Sequence, residues 1–285
     1  MFTTLISAQE LSAQITQTNT VLLDCRHDLM DACSGQNAYQ QGHLPNARFV
    51  HLDRQLSGPK KSSDQMFSGR HPLPSEEDFI QCLRSLGVND DTQVIVYDAH
   101  GGMFAARLWW MLRWVGHQAV AVLDGGLPAW VAQGLPLSTA LPEVSPGTIS
   151  RKPSLVTYVN VDQVLDNLST QQRLVVDARS PDRYRGENET MDPVGGHIPG
   201  AKNRFFKDNL QADGRFKSPE QLRDEWQAFV PDVNHANRAI MQCGSGVTAC
   251  HNLLALEVAG LSGAALYPGS WSEWCASPAR PVALG

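Results

Sequence analysis

The sequence contains no C-x-x-C pair, no apolar run approaching the ~18 residues that cross a bilayer, and no excess of basic charge. Each absence removes a class of function. Without paired cysteines, the thioredoxin-type redox motif and the commonest zinc knuckles are both excluded. With 23 basic against 29 acidic residues and a formal net charge of −6, nothing on the surface advertises nucleic acid or an anionic membrane. Residues 1–14 hold neither Lys nor Arg, so the chain is expected to be untargeted, soluble and cytoplasmic. Six cysteines at irregular spacing in 285 residues are too few for a disulfide framework and read as thiols of a reducing compartment. What is present is a hydrophobic fraction of 42%, enough to build a packed core in one large domain or two ordinary ones.

The chain repeats itself. Val21-Leu22-Leu23-Asp24-Cys25-Arg26 is echoed by Leu174-Val175-Val176-Asp177-Ala178-Arg179, and Gly42-His43-Leu44-Pro45 by Gly196-His197-Ile198-Pro199. Asp124-Gly125-Gly126-Leu127-Pro128-Ala129-Trp130 returns as Pro268-Gly269-Ser270-Trp271-Ser272-Glu273-Trp274, in the same order along the chain. Short Val-, Ile- and Leu-rich runs alternate with amphipathic stretches, the pattern of buried parallel strands covered by helices. The expected strands are 21–25, 47–51, 93–97 and 119–123, then 173–177, 201–205, 238–242 and 264–267. Helix starts are signalled at Ser75-x-x-Asp78, at Ser218-Pro219-Glu220-Gln221 and at Ser270-x-x-Glu273. The fold class predicted is α/β, two tandem domains each with a central parallel sheet flanked by helices. Their boundaries fall at 1–140 and 158–285, with a proline-rich linker over 141–157. Trp109, Trp110 and Trp114 follow helical spacing and are expected in packing, not under a cofactor.

Aligning the copies places Asp98 opposite Cys243, the latter at the C-terminal end of a strand, where open parallel sheets bind ligands. Gly244-Ser245-Gly246 follows, then a helix opening at Val247-Thr248-Ala249-Cys250. A glycine loop of this kind, running into a helix N-terminus, can aim several N–H groups inward and form a nest that favours thiolate over thiol. Cys243 is therefore the candidate nucleophile, while the other cysteines read as small buried hydrophobes. Metal binding by Cys243, Cys250 and His251 is set aside because the spacing matches no usual ligand pair. A cysteine phosphatase is excluded because its C-x5-R loop needs Arg where Ala249 stands. No phosphate-binding or dinucleotide glycine motif occurs.

Cys243-Gly244-Ser245-Gly246-Val247-Thr248, together with the duplicated Gly-His-Ile/Leu-Pro and Asp-x-Arg segments, resembles the two-domain rhodanese-type sulfurtransferases over essentially the whole chain. The loop is similar to that of the 3-mercaptopyruvate-using members; the thiosulfate-using members typically carry basic residues within it. The resemblance implies a Cys243 persulfide in the C-terminal domain, an inactive N-terminal domain, and no metal or cofactor. It also implies a small-molecule sulfur donor, a thiol or cyanide acceptor, a thioredoxin-like reductant as candidate partner, and neither nucleic acid nor membrane. Arg183 matches the arginine that the family uses on its substrate, with Gly244, Gly246, Val247 and Thr248 as the substrate-binding loop. Ser245, His43 and Asp31 match a serine-protease-like arrangement assigned to the mercaptopyruvate enzymes. These enzymes commonly have a second arginine nine residues after the first, where this chain has Asp192; Arg185 is the nearest other guanidinium. Asp24 and Asp177 are expected to pair with Arg26 and Arg179, and Asp177 is retained as a supporting residue of the site. The rival readings are a thiosulfate sulfurtransferase and, in another class, a non-catalytic sulfur carrier or binding module, against which the presence of Cys243 argues.

Overall fold

The apolar runs form the central strands of two five-stranded parallel sheets in a computed structural model that describes residues 1–15, 19–230 and 233–285. The first sheet comprises β1 (Leu5–Ile6), β2 (Thr20–Asp24), β3 (Arg48–Phe49), β4 (Gln93–Tyr97) and β5 (Val120–Leu123), in the order β1-β5-β4-β2-β3. The second comprises β6 (Thr157–Tyr158), β7 (Leu174–Asp177), β8 (Lys202–Asn203), β9 (Ala239–Gln242) and β10 (Ala265–Leu266), in the equivalent order β6-β10-β9-β7-β8. Register is equivalent as well, with Leu22 opposite Ile95 in one sheet and Val175 opposite Ile240 in the other. The edge strands β1 and β6 have two residues each, too short for any periodic signal, and the runs at 47–51 and 201–205 pair over only two residues because each also lies at an edge.

Two of the predicted helix starts cap as their residues dictate. Ser75 accepts the N–H of Asp78 ahead of helix Glu76–Ser85, and Ser218 forms a reciprocal box with Gln221 ahead of helix Pro219–Trp226, with Pro219 in its first turn. Ser270 differs. The helix Ser270–Trp274 has Gly269 at its cap position, and Ser270 stands at φ +54° with its hydroxyl accepting the Cys243 N–H and donating to Tyr267 O. It supports the loop after β9 instead of capping a helix.

Each sheet has its own core, built around Leu22, Ile95, Leu123 and Trp130 in one case and Val175, Ile240, Trp271 and Trp274 in the other. Trp109, Trp110 and Trp114 are buried along helix Ala105–Trp114. The compact units are not the two contiguous halves that the repeat predicts. The N-terminal unit comprises Met1–Gly58, Pro74–Leu155 and Leu210–Phe216; the C-terminal unit comprises Pro59–Leu73, Val156–Asn209 and Lys217–Gly285. The expected linker is for the most part a strap on the N-terminal unit, with Gly147, Ile149, Lys152 and Leu155 donating backbone N–H groups to Arg84, Val88, Val115 and Arg113. Among the described residues, no helix is long and apolar enough to cross a membrane.

Candidate active site

Cys243 directly follows β9 and is almost fully buried. The turn after it is tied down on both sides: Cys243 N–H donates to Ser270 Oγ (3.1 Å), while Trp271 and Ser272 donate to the carbonyls of Cys243 and Gly244 (both 2.9 Å). Gly246 is required by geometry. Its φ is +76°, and a Cβ there would stand 2.4 Å from the Pro268 carbonyl oxygen. Helix Thr248–Val258 then begins with no side-chain cap, and the backbone N–H groups of Ser245, Val247, Thr248 and Ala249 have no hydrogen-bond partner among the described residues. These are the orphan donors of a helix start, grouped around a loop that begins with a cysteine.

The N-terminal unit shows what such a loop can hold. Asp98, the counterpart of Cys243, is fully buried and accepts four backbone N–H groups, from His100 (2.8 Å), Gly102 (3.0 Å), Phe104 (2.8 Å) and Ala105 (2.9 Å). The loop is an anion nest that its own carboxylate fills. No cysteine stands in that loop.

Two guanidinium groups approach Gly244. A Cβ built on this glycine would meet Arg70 Nη2 at 2.7 Å and the two terminal nitrogens of Arg183 at 3.6 and 3.7 Å, so the absent side chain is the space they occupy. Arg183 is held by Glu189, with Nε at 3.1 Å and Nη2 at 2.8 Å from its two oxygens, and its Nη2 lies 3.4 Å from Asp192 Oδ2. Arg70 Nη1 forms an ion pair with Asp192 Oδ1. Burial pushes Glu189 up, but Arg183 and the N–H groups of Met191 and Asp192 outweigh it and hold the carboxyl below its usual range; for Asp192 burial wins, against Arg70, and raises it. A third cation, Arg179, is disfavoured by burial, yet Asp177 and Glu189 beside it hold it above the ordinary guanidinium value. Asp177 grips Arg179 at 2.7–3.2 Å while Arg179 also donates to Gly196 O. Asp24, Arg26 and Gly42 repeat this clamp in the other unit. Arg185 is spent on Glu187 at the surface and takes no part in the site. The loop itself carries no basic residue, and the guanidinium groups that approach Gly244 come from outside it.

The imidazole against Ser245 is His71, with Nδ1 2.8 Å from Ser245 Oγ and both side chains buried. His43, expected in that role, instead has its ring nitrogens 2.8 and 3.1 Å from the carbonyls of Tyr39 and Ala140 and stacks on Tyr39. Its twin His197 does the same with Tyr184, so the repeated Gly-His-x-Pro turn uses its imidazole to hold the chain. Asp31 is exposed and accepts the Cys33 N–H in a local turn. Arg70 and His71 were missed because segment 59–73 has no periodicity; the one available signal was a Gly-Arg-His-Pro run that no element had claimed. Elsewhere, His27, His51 and Asp53 bring three ligand-type atoms within 4.8 Å of one another in the N-terminal unit. Their 3.8 and 4.0 Å separations exceed the ~3.4 Å edge of a tetrahedral zinc site, and His51 Nδ1 already accepts the Asp53 N–H.

The chain is similar to known proteins along its whole length. The rhodanese-like domain matches twice, over residues 7–133 and 160–277. A probable 3-mercaptopyruvate sulfurtransferase of Pseudomonas aeruginosa is 43% identical over 99% of this chain and 98% of its own. The thiosulfate sulfurtransferase of Mus musculus is 37% identical over 83% and 78%. Among solved structures, 3-mercaptopyruvate sulfurtransferase from Leishmania major superposes with a TM-score of 0.84 at 30% identity, covering 96% of this chain and 74% of that one. With two matched copies, two sheets of equivalent topology and a cysteine loop in the second, the chain belongs to the rhodanese-like family.

Proposed function

We propose that the protein is a sulfurtransferase that takes sulfur from 3-mercaptopyruvate onto Cys243 and passes it to a thiol or cyanide acceptor. The Cys243 thiolate attacks the donor's sulfur; the S–S bond forms as the donor's C–S bond breaks, and that electron pair passes to the methylene carbon of the pyruvate enolate. The proton that the donor thiol gives up ends on this carbon, leaving pyruvate and a Cys243 persulfide anion. The orphan N–H groups of the loop suit that anion, just as their counterparts suit the Asp98 carboxylate. An acceptor thiol, from a small molecule or a thioredoxin-like reductant, then removes the outer sulfur. The six free cysteines support a reducing, cytoplasmic setting.

The observation that carries this reading is the Ser245–His71 pair two residues from Cys243. Sulfur release from mercaptopyruvate moves a proton, which a hydroxyl–imidazole pair can relay, whereas thiosulfate leaves sulfite without any proton transfer. Thiosulfate is the second reading, favoured by the two guanidinium groups at Gly244, which would also suit a dianion. Steady-state kinetics with each donor at one acceptor concentration separate the two: a higher kcat/KM for 3-mercaptopyruvate is expected, and the reverse order would overturn the assignment. Intact-protein mass spectrometry after donor treatment is expected to find one added sulfur on the wild type and none on Cys243→Ser.

A further inference from the structure

We infer that the cavity at the start of β7, walled by Arg173, Leu168, Leu174, Val175 and Pro199, is a binding site for a small monocarboxylate with an apolar body, separate from the Cys243 loop. Its volume is about 380 Å³, towards the small end of the ~300–1,000 Å³ range of ligand pockets. The parallel register sets Leu174 opposite Ala239 and Asp177 opposite Gln242, so the cavity lies at the end of the sheet where β7 and β9 begin, and Cys243 at the end where they finish. A strand of four residues, about 13 Å, separates the two.

Arg173 gives the cavity its charge. Of the donors on this half-buried guanidinium, Nη2 reaches Ala239 O at 3.2 Å, while Nε and Nη1 have no partner among the described residues. No carboxylate stands within ion-pair distance of it among the described residues, although Arg179, Arg183, Arg185 and Arg204 of the same unit each have one. Burial accordingly lowers the Arg173 guanidinium from its ordinary value, with no acid to offset the cost. A carboxylate arriving from solvent supplies the missing partner through a charge-assisted hydrogen bond to the terminal donors. Leu168, Leu174, Val175 and Pro199 meet the carbon body behind it, which a hydrated inorganic dianion does not have.

The walls are fixed before any ligand arrives. Asn167, buried near the end of helix Val161–Thr170, donates to Arg173 O at 2.7 Å and accepts the Arg173 N–H at 2.9 Å. Gln171 closes that helix at φ +49°, its N–H on Asn167 O. Another wall is opened by Gly200, which turns at φ +78° with nothing within 4 Å of where its Cβ would stand. The internal repeat supplies a comparison. Aligned with the N-terminal copy, Arg173 corresponds to Thr20 and Gly200 to Asn46, the latter also left-handed at φ +62°. Both units keep the turn, but only the C-terminal one combines it with a bare glycine and an unpaired cation.

The test titrates benzoate into the full chain, with 1H–15N spectra to place it and calorimetry to measure it. The wild type is expected to bind with a Kd of about 1 mM, shifting the amides of Leu168, Gln171, Leu174 and Gly200 and the Arg173 Nε–H. Arg173→Met, which keeps an apolar stem, is expected to weaken binding by about 10- to 100-fold, and Arg173→Lys by about 3- to 10-fold because a point charge replaces a fork. Gly200→Asn copies Asn46, keeps the turn and takes up part of the space, for a loss of about 3- to 10-fold. Benzyl alcohol, of similar shape but uncharged, and inorganic phosphate, charged but without a carbon body, are each expected to bind at least about tenfold more weakly than benzoate. Absence of these shifts up to about 100 mM benzoate, or shifts confined to residues 243–249 and Arg183, would overturn the assignment. So would an unchanged Kd in folded Arg173→Met or Arg173→Lys. Equal binding of benzyl alcohol would remove the anion from the reading, and tighter binding of phosphate would remove the apolar body.

Discussion

Replacing Asp98 with Ala removes the anion from the filled nest of the N-terminal unit. Four backbone donors, now satisfied at 2.8–3.0 Å by one fully buried carboxylate, lose their acceptor at once. At about 1–3 kcal/mol for each buried donor left unpaired, the upper range exceeds 10 kcal/mol; water entering the emptied site brings the expectation down to about 4–6 kcal/mol. Loss of negative charge at the start of helix Ala105–Trp114 adds about 0.3–1 kcal/mol in the same direction. Against a typical domain stability of about 5–15 kcal/mol, this brings the N-terminal unit close to unfolding. Urea denaturation at neutral pH, followed by hydrogen exchange of the amides in 99–110, measures the loss and locates it. The nest also predicts a rescue. Formate or acetate should bind the vacated site of Asp98→Ala and restore stability in proportion to the logarithm of its concentration, by about 2.7 kcal/mol at 100 times its Kd, with no comparable effect on the wild type. A loss below about 1 kcal/mol, or a variant indifferent to small carboxylates, would refute the four-donor account.

Three further outcomes follow from the geometry. His71→Ala should lower kcat with 3-mercaptopyruvate by about 100-fold while leaving thiosulfate turnover within about threefold, because only the first reaction moves a proton; equal losses with both donors would remove His71 from proton transfer. Gly246→Ala should destabilise by more than about 2 kcal/mol and block sulfur loading, since positive φ is compounded by the Pro268 carbonyl, whereas Gly200→Ala, at similar φ with nothing near its Cβ, should cost only about 1 kcal/mol; similar melting temperatures for the two would contradict this. Burial pushes the thiols of Cys82 and Cys275 up to about 11, so their iodoacetamide labelling should climb about tenfold per pH unit from pH 8 to 10. Since these folded-state values lie above the ordinary 9.0, the stability they contribute is present below pH 9 and is lost as the pH rises to 11; a labelling plateau below pH 10 would show that they are not held protonated.

What the sequence determined by itself is what neighbouring residues decide. Period and β-branched content locate the central strands β2, β4, β5, β7 and β9 to within a residue of their ends; Ser75 and Ser218 announce their helices because a cap acts over three residues. The strand, glycine loop and helix that present Cys243 lie within a short stretch of chain, so the candidate nucleophile is legible without a fold. Its partners are not. Arg70 and His71 come from a segment more than 170 residues away that forms no regular element, and only the docking of Gly69 and Arg70 on the turn at Gly269–Ser272 brings them to Gly244 and Ser245. His43 failed as a prediction for a local reason, since its turn recurs at His197 and a residue needed twice for the same turn chemistry is serving the fold. Asp98 could be aligned with Cys243 by repeat alone, but that its carboxylate closes a nest of four N–H groups depends on backbone directions that residue order does not carry. Propensity, capping and periodicity act between neighbours in the chain, whereas a charge balance such as that of Arg70, Asp192, Arg183 and Glu189 exists only once distant segments share one small volume.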